Sequence, residues 1–162
     1  MHATNIDMHA ILDAMLKKAE EVYKNSEEDY PKTRGKRGFA CVKLRYAPNQ
    51  NRWIAVEDVF GEKSYRNTRT QNGREIEYGA NFEGVVQGKI AYCKRTGENS
   101  GTSIRDIKEG ESFWKGAIFD GADKMALFGY SGFNELDDIV VGEAGREEYL
   151  RQVTSCKNNN RS

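Results

Sequence analysis

Two hydrophobic patterns divide the chain, and together they indicate both helices and strands. Three segments carry apolar residues at helical spacing, and four carry the alternation or short apolar runs of strands. Their order is helix–strand–strand–helix–strand–strand–helix. No βαβ units alternate, so the pattern predicts an α+β fold rather than a doubly wound sheet. The predicted helices cover 6–24, 80–95 and the segment after Asn134, and the predicted strands cover 39–46, 52–60, 113–119 and 125–130.

A polar stretch separates the second strand from the second helix. Residues 61–78 read GEKSYRNTRTQNGREIEY and predict a long loop. Loops of this length in compact domains usually carry function or are partly disordered. Asn134 is a good N-cap for the last helix because its side chain can accept from a backbone N–H of the first turn. We expect one domain over 1–157 and a disordered tail over 158–162.

The second predicted helix carries a stripe of small residues, Ala80, Gly84, Gly88 and Ala91. Each helical glycine costs about 1 kcal/mol relative to alanine. The stripe therefore indicates that the sheet, a partner subunit or a ligand approaches the backbone closely. A conformational hinge is the alternative, and close packing is the favoured interpretation.

The overall charge argues against a nucleic-acid partner. Lys plus Arg number 25 and Asp plus Glu number 25, so the formal net charge is zero. A protein that grips a phosphate backbone needs clustered positive charge, so we expect no nucleic-acid partner. No apolar run is long enough to cross a bilayer, and the first residues have no secretory pattern, so we expect no membrane partner and a cytoplasmic location.

The cysteines and histidines offer little material for a metal centre or a catalytic triad. Cys41, Cys93 and Cys156 form no CxxC pair, so three reduced thiols are the expected state. The histidines are His2 and His9, both near the start of the chain. GxSxG, Walker, HExxH and GxGxxG patterns are absent from the sequence. We therefore name no catalytic residue, and whether the protein is an enzyme stays open.

A basic run precedes the first strand. It comprises Lys32, Arg34, Lys36 and Arg37 and lies close to aromatic residues such as Phe39. Basic charge interleaved with aromatics is the pattern of single-stranded nucleic-acid binding. Since the net charge is zero and no binding module is recognisable, a solvated loop is the favoured interpretation.

Two motifs resemble those of a known family. The first is GKIAYCKRTGENSG at 88–101, in which Lys89 and Ala91 match a Lys-Ala pair. The second is ALFGYSGFNELDDIVVGEAG at 126–145, which matches a glycine–apolar–Ser-Gly turn followed by an acidic residue and a helix of small residues. Over roughly residues 6–150 the chain resembles the GlcG/HbpS-like haem-binding proteins, also called the haem-degrading domain family.

The resemblance implies a profilin-like fold, in which an antiparallel sheet of about five strands is flanked by helices. It also implies assembly into a homo-oligomer and a ligand that is haem or a related tetrapyrrole. The patterning shows four clear strands, so a fifth is expected within 61–78 or 102–108. The polar stretch 61–79 is longer and more charged than the family pattern, which leaves the ligand's identity and the role of this stretch open.

The resemblance also implies an axial haem ligand near the first helix, where the chain offers His9. A neutral imidazole can ligate iron, which makes His9 the candidate metal ligand and cofactor-binding residue. An ordinary histidine at the boundary of the apolar stripe is the alternative. His2 is expected to be a disordered terminal residue.

The remaining candidate cofactor-binding residues are Lys89 and the polar or small residues of two loops. Ser131 and Gly132 lie at a turn before a helix, where backbone N–H groups suit a carboxylate or haem propionate. Thr96 and Ser100 can hydrogen-bond a ligand. The alternatives are that the glycines only allow a tight turn and that the hydroxyls only shape a loop.

Two hypotheses for function follow. The first is an oligomeric, cytoplasmic, small-molecule-binding protein whose implied ligand is haem or a related tetrapyrrole. The second is a cofactor-free oligomeric module of profilin-like fold that binds another protein, suggested by the small-residue stripe of the second helix.

Overall fold

A computed structural model describes residues 6–25, 35–103 and 105–160 and confirms the α+β class. Within those ranges three helices accompany an antiparallel sheet of four strands and a separate two-stranded hairpin. His2, Lys32 and Arg34 lie outside the described residues. The elements are α1 Met8–Asn25, β1 Phe39–Arg45, β2 Trp53–Val59, β3 Ser64–Gln71, β4 Arg74–Asn81, α2 Phe82–Thr96, β5 Ala117–Phe119, β6 Ala126–Ser131 and α3 Glu135–Asn159.

The four-stranded sheet has the order β2-β1-β6-β5, and all its neighbours are antiparallel. β1 lies inside the sheet, where Phe39 pairs with Val59 of β2 on one side and with Ser131 of β6 on the other. The expected fifth strand does not join this sheet. Of the two places predicted for it, 61–78 forms a hairpin elsewhere, and the described residues of 102–108 form no strand.

The two faces of the sheet carry separate apolar clusters, as the alternation along β1 predicts. Val42 and Leu44 face α1 and α3 together with Phe128 of β6. Cys41 faces α2 together with Leu127, the neighbour of Phe128 in β6. The sheet is therefore sandwiched between two helices on one side and one helix on the other.

The predicted loop over 61–78 is wrong, because β3 and β4 form an antiparallel hairpin there. Asn72 and Gly73 both have positive φ at its tip, 54° and 74°, as a two-residue hairpin turn requires. The Asn-Gly pair is a local sequence signal for this turn. The strands on either side are polar, so the sequence pattern does not identify them as strands. Nearly every residue of the hairpin is exposed, so burial imposes no apolar alternation on it.

The ends of the helices and strands follow the sequence closely, with two differences. Asn134 caps α3 as predicted, since its Oδ1 accepts from Asp137 N at 2.8 Å. α3 continues to Asn159 and so includes residues 158 and 159, where the sequence predicts a disordered tail. β5 begins at Ala117, later than the strand predicted from residue 113.

Within the described parts of the chain, no helix has the length and apolar character needed to span a membrane.

Candidate functional site

A cleft of about 930 Å³ lies where α2, the segment 110–114 and the start of α3 come together. Gly84 and Gly88 of α2 line one wall, and Trp114 and Phe133 supply aromatic surface. Pockets that combine apolar walls with a few convergent polar groups are the usual form of small-molecule sites. This cleft is therefore the candidate site.

A buried ion pair lies at the cleft. The ammonium of Lys89, in α2, donates to Asp138 Oδ2 at 3.2 Å and to the backbone oxygen of Tyr130 at 2.9 Å. The other carboxylate oxygen, Oδ1 of Asp138, accepts from Phe133 N at 2.9 Å. Lys89 is 1% exposed and Asp138 3% exposed, and both line the cleft. The pair therefore presents buried charge to any molecule that enters.

Burial shifts the protonation of both partners toward their neutral forms. It raises the pKa of Asp138 to about 7, although the positive charge of Lys89 and the N–H of Phe133 act to lower it. Burial also lowers the pKa of Lys89, against the opposing attraction of Asp138. Burial therefore brings the pKa values of the two groups closer together than they are in water. Such perturbed pairs in clefts are typical of functional sites.

Glycines make room for this pair and for the cleft. Gly116 has φ +131°, and a Cβ there would lie 2.6 Å from Lys89 Nζ and 2.6 Å from the Tyr130 backbone oxygen. A Cβ on Gly88 would come within 3.0 Å of Ser112 N. The predicted close approach to the small-residue stripe is thus found at Gly88, where the segment 110–114 crosses α2, while Gly84 borders the open cleft.

The charge of the cleft disfavours an anionic ligand. Among the described residues that line it, Lys89 is the basic side chain, whereas Glu111, Glu135 and Asp138 are acidic. Glu111 is neutralised by Arg95, whose Nε lies 2.7 Å from Glu111 Oε2. Glu135 accepts a backbone N–H, that of Lys115, at 3.1 Å. Glu135, which is half-buried, therefore contributes negative charge to the lining of the cleft.

Three of the predicted site residues lie at or beside the cleft. Lys89 and Ser131 line it, and both are buried. Gly132 is the next residue along the chain, and its backbone N–H helps to hold the carboxylate of Asp138. Gly132 also packs tightly, since a Cβ there would lie 2.5 Å from the Arg37 backbone oxygen.

Thr96 and Ser100 have structural partners away from the cleft. Thr96 Oγ1 donates to the Tyr92 carbonyl at 2.8 Å, inside its own helix. Ser100 is buried and covers the outer edge of β5: its Oγ accepts from Ala117 N at 3.0 Å, and its N–H donates to the Ala117 carbonyl at 3.0 Å. These contacts favour the interpretation that both hydroxyls shape the loop.

His9 lies on the other side of the sheet. It is exposed on α1, which packs with α3 against the face opposite α2. The axial ligands of haem in proteins are histidine, cysteine, methionine or tyrosine side chains. The described residues that line the cleft include none of these types. The described lining of the cleft therefore lacks the common axial ligands of haem, and His9 lies on the opposite face of the sheet. In the described ranges no cluster of three or more His, Cys, Asp or Glu side chains suits a metal ion.

Sequence reasoning missed Asp138 and Trp114 as site residues. Asp138 lies in the first turn of the last predicted helix, where an acidic residue is expected for its interaction with the helix dipole. Its spacing held a further signal, because Asp138, Val141, Gly142 and Gly145 recur on one helical face and all are buried. A carboxylate on a buried helical face needs a cationic partner. For Trp114 no sequence signal distinguished a cleft wall from a strand residue.

The fold has a counterpart among solved structures. A structure described as "Crystal structure of Ybr137w protein" is 14% identical to this chain, with a TM-score of 0.53, and the match covers 92% of this chain and 80% of that chain. At this identity the likeness shows the fold alone. No family model and no curated protein matches the chain.

Proposed function

We propose that this protein binds a small organic molecule in the cleft between α2, the segment 110–114 and α3. The observation that carries the proposal is the buried Lys89–Asp138 pair at an open, apolar-walled cleft of about 930 Å³. Burying two charges costs several kcal/mol per ion before their attraction is counted. A ligand that uses these groups gives a reason for placing them there.

The lining defines the class of ligand. Trp114 and Phe133 offer aromatic surface, and the glycines of α2 leave space for a flat body. The carboxylate of Glu135 in the lining attracts a positive charge and repels a negative one. The ligand expected here is a planar molecule that is neutral or cationic.

Haem binding is a separate hypothesis that the family resemblance supports. The two propionates of haem are anionic, and the cleft offers them one ammonium that is already paired. A hemin titration of the wild type and His9→Ala, followed in the Soret region, tests this hypothesis. Saturable binding that His9→Ala abolishes would place a tetrapyrrole at α1 rather than in the cleft.

A planar dye pair tests the proposal directly. Thioflavin T is cationic and anilinonaphthalene sulfonate is anionic, and both become fluorescent when held in a site. We expect saturable binding of thioflavin T and weaker binding of the sulfonate. Gly84→Leu fills the cleft and Trp114→Ala removes its aromatic wall, so each is expected to weaken thioflavin T binding by about tenfold, or about 1.4 kcal/mol.

Tyr46→Ala is the matched control for Trp114→Ala. Tyr46 and Trp114 are both 46% exposed, and Tyr46 is not among the residues that line the cleft. The control is expected to bind thioflavin T like the wild type. Equal affinities of all four proteins, or no saturable binding at all, would contradict the proposal.

The alternative of an oligomeric interaction module is favoured by the exposed face of α3. Leu136 is 72% exposed and Val140 is 38% exposed, and one helical turn separates them, so they share a face. Light scattering of the wild type and Leu136→Asp tests this alternative. An oligomer that Leu136→Asp dissociates would place a subunit interface on α3, and a monomeric wild type would count against self-assembly.

A cytoplasmic location belongs to the same proposal. Cys41 and Cys93 are buried and Cys156 is half-buried, and none of the three forms a disulfide. Cysteines without disulfides are typical of proteins from reducing compartments. Localisation of the tagged protein by microscopy, in the cells that express it, tests this point.

A further inference from the structure

We propose that Lys89 forms a covalent imine with a ligand that carries an aldehyde or ketone group. This inference rests on the proposed function, because the carbonyl compound must enter the same cleft. It adds a chemical class to the ligand and a covalent step to its binding.

The position of Lys89 suits this chemistry. The side chain lines the cleft and is 1% exposed, so a carbonyl group that reaches it is shielded from bulk water. The ammonium has three hydrogens, and the Tyr130 carbonyl and Asp138 accept from it. These two hydrogen bonds leave the ammonium one further N–H. Gly116 allows the amine to occupy this position, since a Cβ there would lie 2.6 Å from Nζ.

Asp138 supplies the proton transfers that imine formation needs. Its carboxylate lies 3.2 Å from Lys89 Nζ and takes a proton from the ammonium, which leaves a neutral amine and a neutral acid. The amine nitrogen then forms a bond to the carbonyl carbon as the carbonyl π electron pair moves to the oxygen; Asp138 gives its proton to this oxygen and takes one from the nitrogen, which yields a neutral carbinolamine. The acid of Asp138 protonates the carbinolamine hydroxyl, which leaves as water, and the nitrogen gives up its remaining proton to the carboxylate if a neutral imine results. No oxidant or reductant takes part.

The protonation state distinguishes Lys89 from exposed lysines. Burial lowers the pKa of Lys89, which favours the neutral, nucleophilic amine. Lys63 shows the opposite arrangement: it is exposed, and its ion pair with Glu83 raises its pKa. An exposed ammonium is almost fully protonated at neutral pH and reacts slowly with carbonyl groups.

Reductive trapping tests the proposal with a neutral aromatic probe. Cinnamaldehyde and cyanoborohydride are added to the folded protein at neutral pH, and the imine is reduced to a stable secondary amine. This adds the mass of the aldehyde less one oxygen. Tandem mass spectrometry of the digest then locates the label. We expect Lys89 to carry most of the label at early times, and an excess of thioflavin T to suppress that label.

Variants of Lys89 and Lys63 distinguish a loss of imine formation from a loss of folding. Lys89→Met is expected to lose the early label, whereas Lys63→Met retains it. Lys89→Arg keeps a positive charge next to Asp138 but forms no imine, so it is expected to remain folded by circular dichroism and to lose the label as well. If neither Lys89 variant folds, the site of label in the wild-type digest decides the question.

The outcomes distinguish this inference from the proposed function. Early label spread over exposed lysines and absent from Lys89, with thioflavin T still bound in the cleft, would overturn the imine and leave the binding site standing. Loss of thioflavin T binding together with absence of label at Lys89 would overturn both. Label at Lys89 that thioflavin T does not suppress would also contradict the inference, since the amine would then react outside the shared cleft.

Discussion

Lys89 Nζ lies 3.2 Å from Asp138 Oδ2, and this ion pair joins α2 on one face of the sheet to α3 on the other. The two residues are 49 positions apart in the chain. The contact is made beside the end of β6, where the Tyr130 carbonyl also accepts from the ammonium. Any ligand that alters the protonation of this pair therefore acts on both helix layers at once.

The stability of the protein is expected to fall as the pH rises from about 5 to about 7. Burial raises the pKa of Asp138 to about 7, so the folded state keeps a proton that the unfolded chain loses near its ordinary pKa of 3.8. More protons are then bound to the folded state, and the free energy of unfolding decreases with pH by at most about 1.4 kcal/mol per unit. Guanidinium denaturation at several pH values measures the slope.

Asp138→Asn is the control for this pH dependence. The amide cannot titrate, so the part of the slope that Asp138 causes is expected to disappear in the variant. Curves of wild type and Asp138→Asn that run parallel between these pH values would show that Asp138 keeps an ordinary pKa.

Gly116→Ala is expected to destabilise the fold more than Gly121→Ala. Both glycines have positive φ, +131° and +148°, so both substitutions strain the backbone. A Cβ at 116 would also meet Lys89 Nζ and the Tyr130 oxygen, whereas nothing lies within 4 Å of a Cβ at 121. In thermal denaturation, Gly116→Ala is expected to lower the free energy of unfolding more than Gly121→Ala does, by a difference above about 1 kcal/mol. Equal losses would mean that position 116 is not crowded by the ion pair.

One thiol per chain is expected to react quickly with Ellman's reagent in the native state. Cys41 and Cys93 are fully buried, and burial raises the pKa of each to about 12, which suppresses the reactive thiolate. Cys156 is half-buried near the end of α3. Guanidinium is expected to make all three reactive, and Cys156→Ser to leave no fast thiol. Rapid reaction of two or three native thiols would contradict the packing of α2 against β1.

Ser100→Ala is expected to reduce stability without changing thioflavin T affinity. The substitution removes the acceptor of Ala117 N and leaves a buried N–H unpaired, at a cost of about 1–3 kcal/mol. Chemical denaturation measures the first effect and dye titration the second. A loss of affinity with unchanged stability would instead assign Ser100 to the ligand, as its place in the family-like motif had suggested.

Much of the fold could be predicted from the sequence because burial imposes a period on it. α1 and the strands β1 and β2 lie within one or two residues of their predicted ends. The hairpin β3–β4 could not be found this way, since exposed strands have no face to keep apolar. β5 has three residues, too few to show alternation, and the aromatic pair Phe113 and Trp114 shortly before it makes the apolar segment look longer.

Only part of the candidate site could be predicted from the sequence. Lys89 is a predicted site residue because of its place in a family-like motif. Its pairing with Asp138 could not be predicted, because two residues that meet across a sheet have no fixed spacing in the sequence. The sequence identifies His9 as a candidate ligand but does not give its position in the fold. The pattern of an amphipathic helix does not indicate which face of the sheet the helix covers. The cleft itself depends on where the segment 110–114 crosses α2, a tertiary relationship that no local pattern records.

Chemical-shift mapping of thioflavin T binding tests the central claim most directly. In a titration of ¹⁵N-labelled protein, the account predicts saturable shifts concentrated at Gly84, Gly88 and Lys89, in the segment 110–114 and in the first turn of α3 near Asp138, with residues around His9 unmoved. Shifts centred on α1 around His9, or scattered over the surface without saturation, would contradict a ligand site at the Lys89–Asp138 cleft.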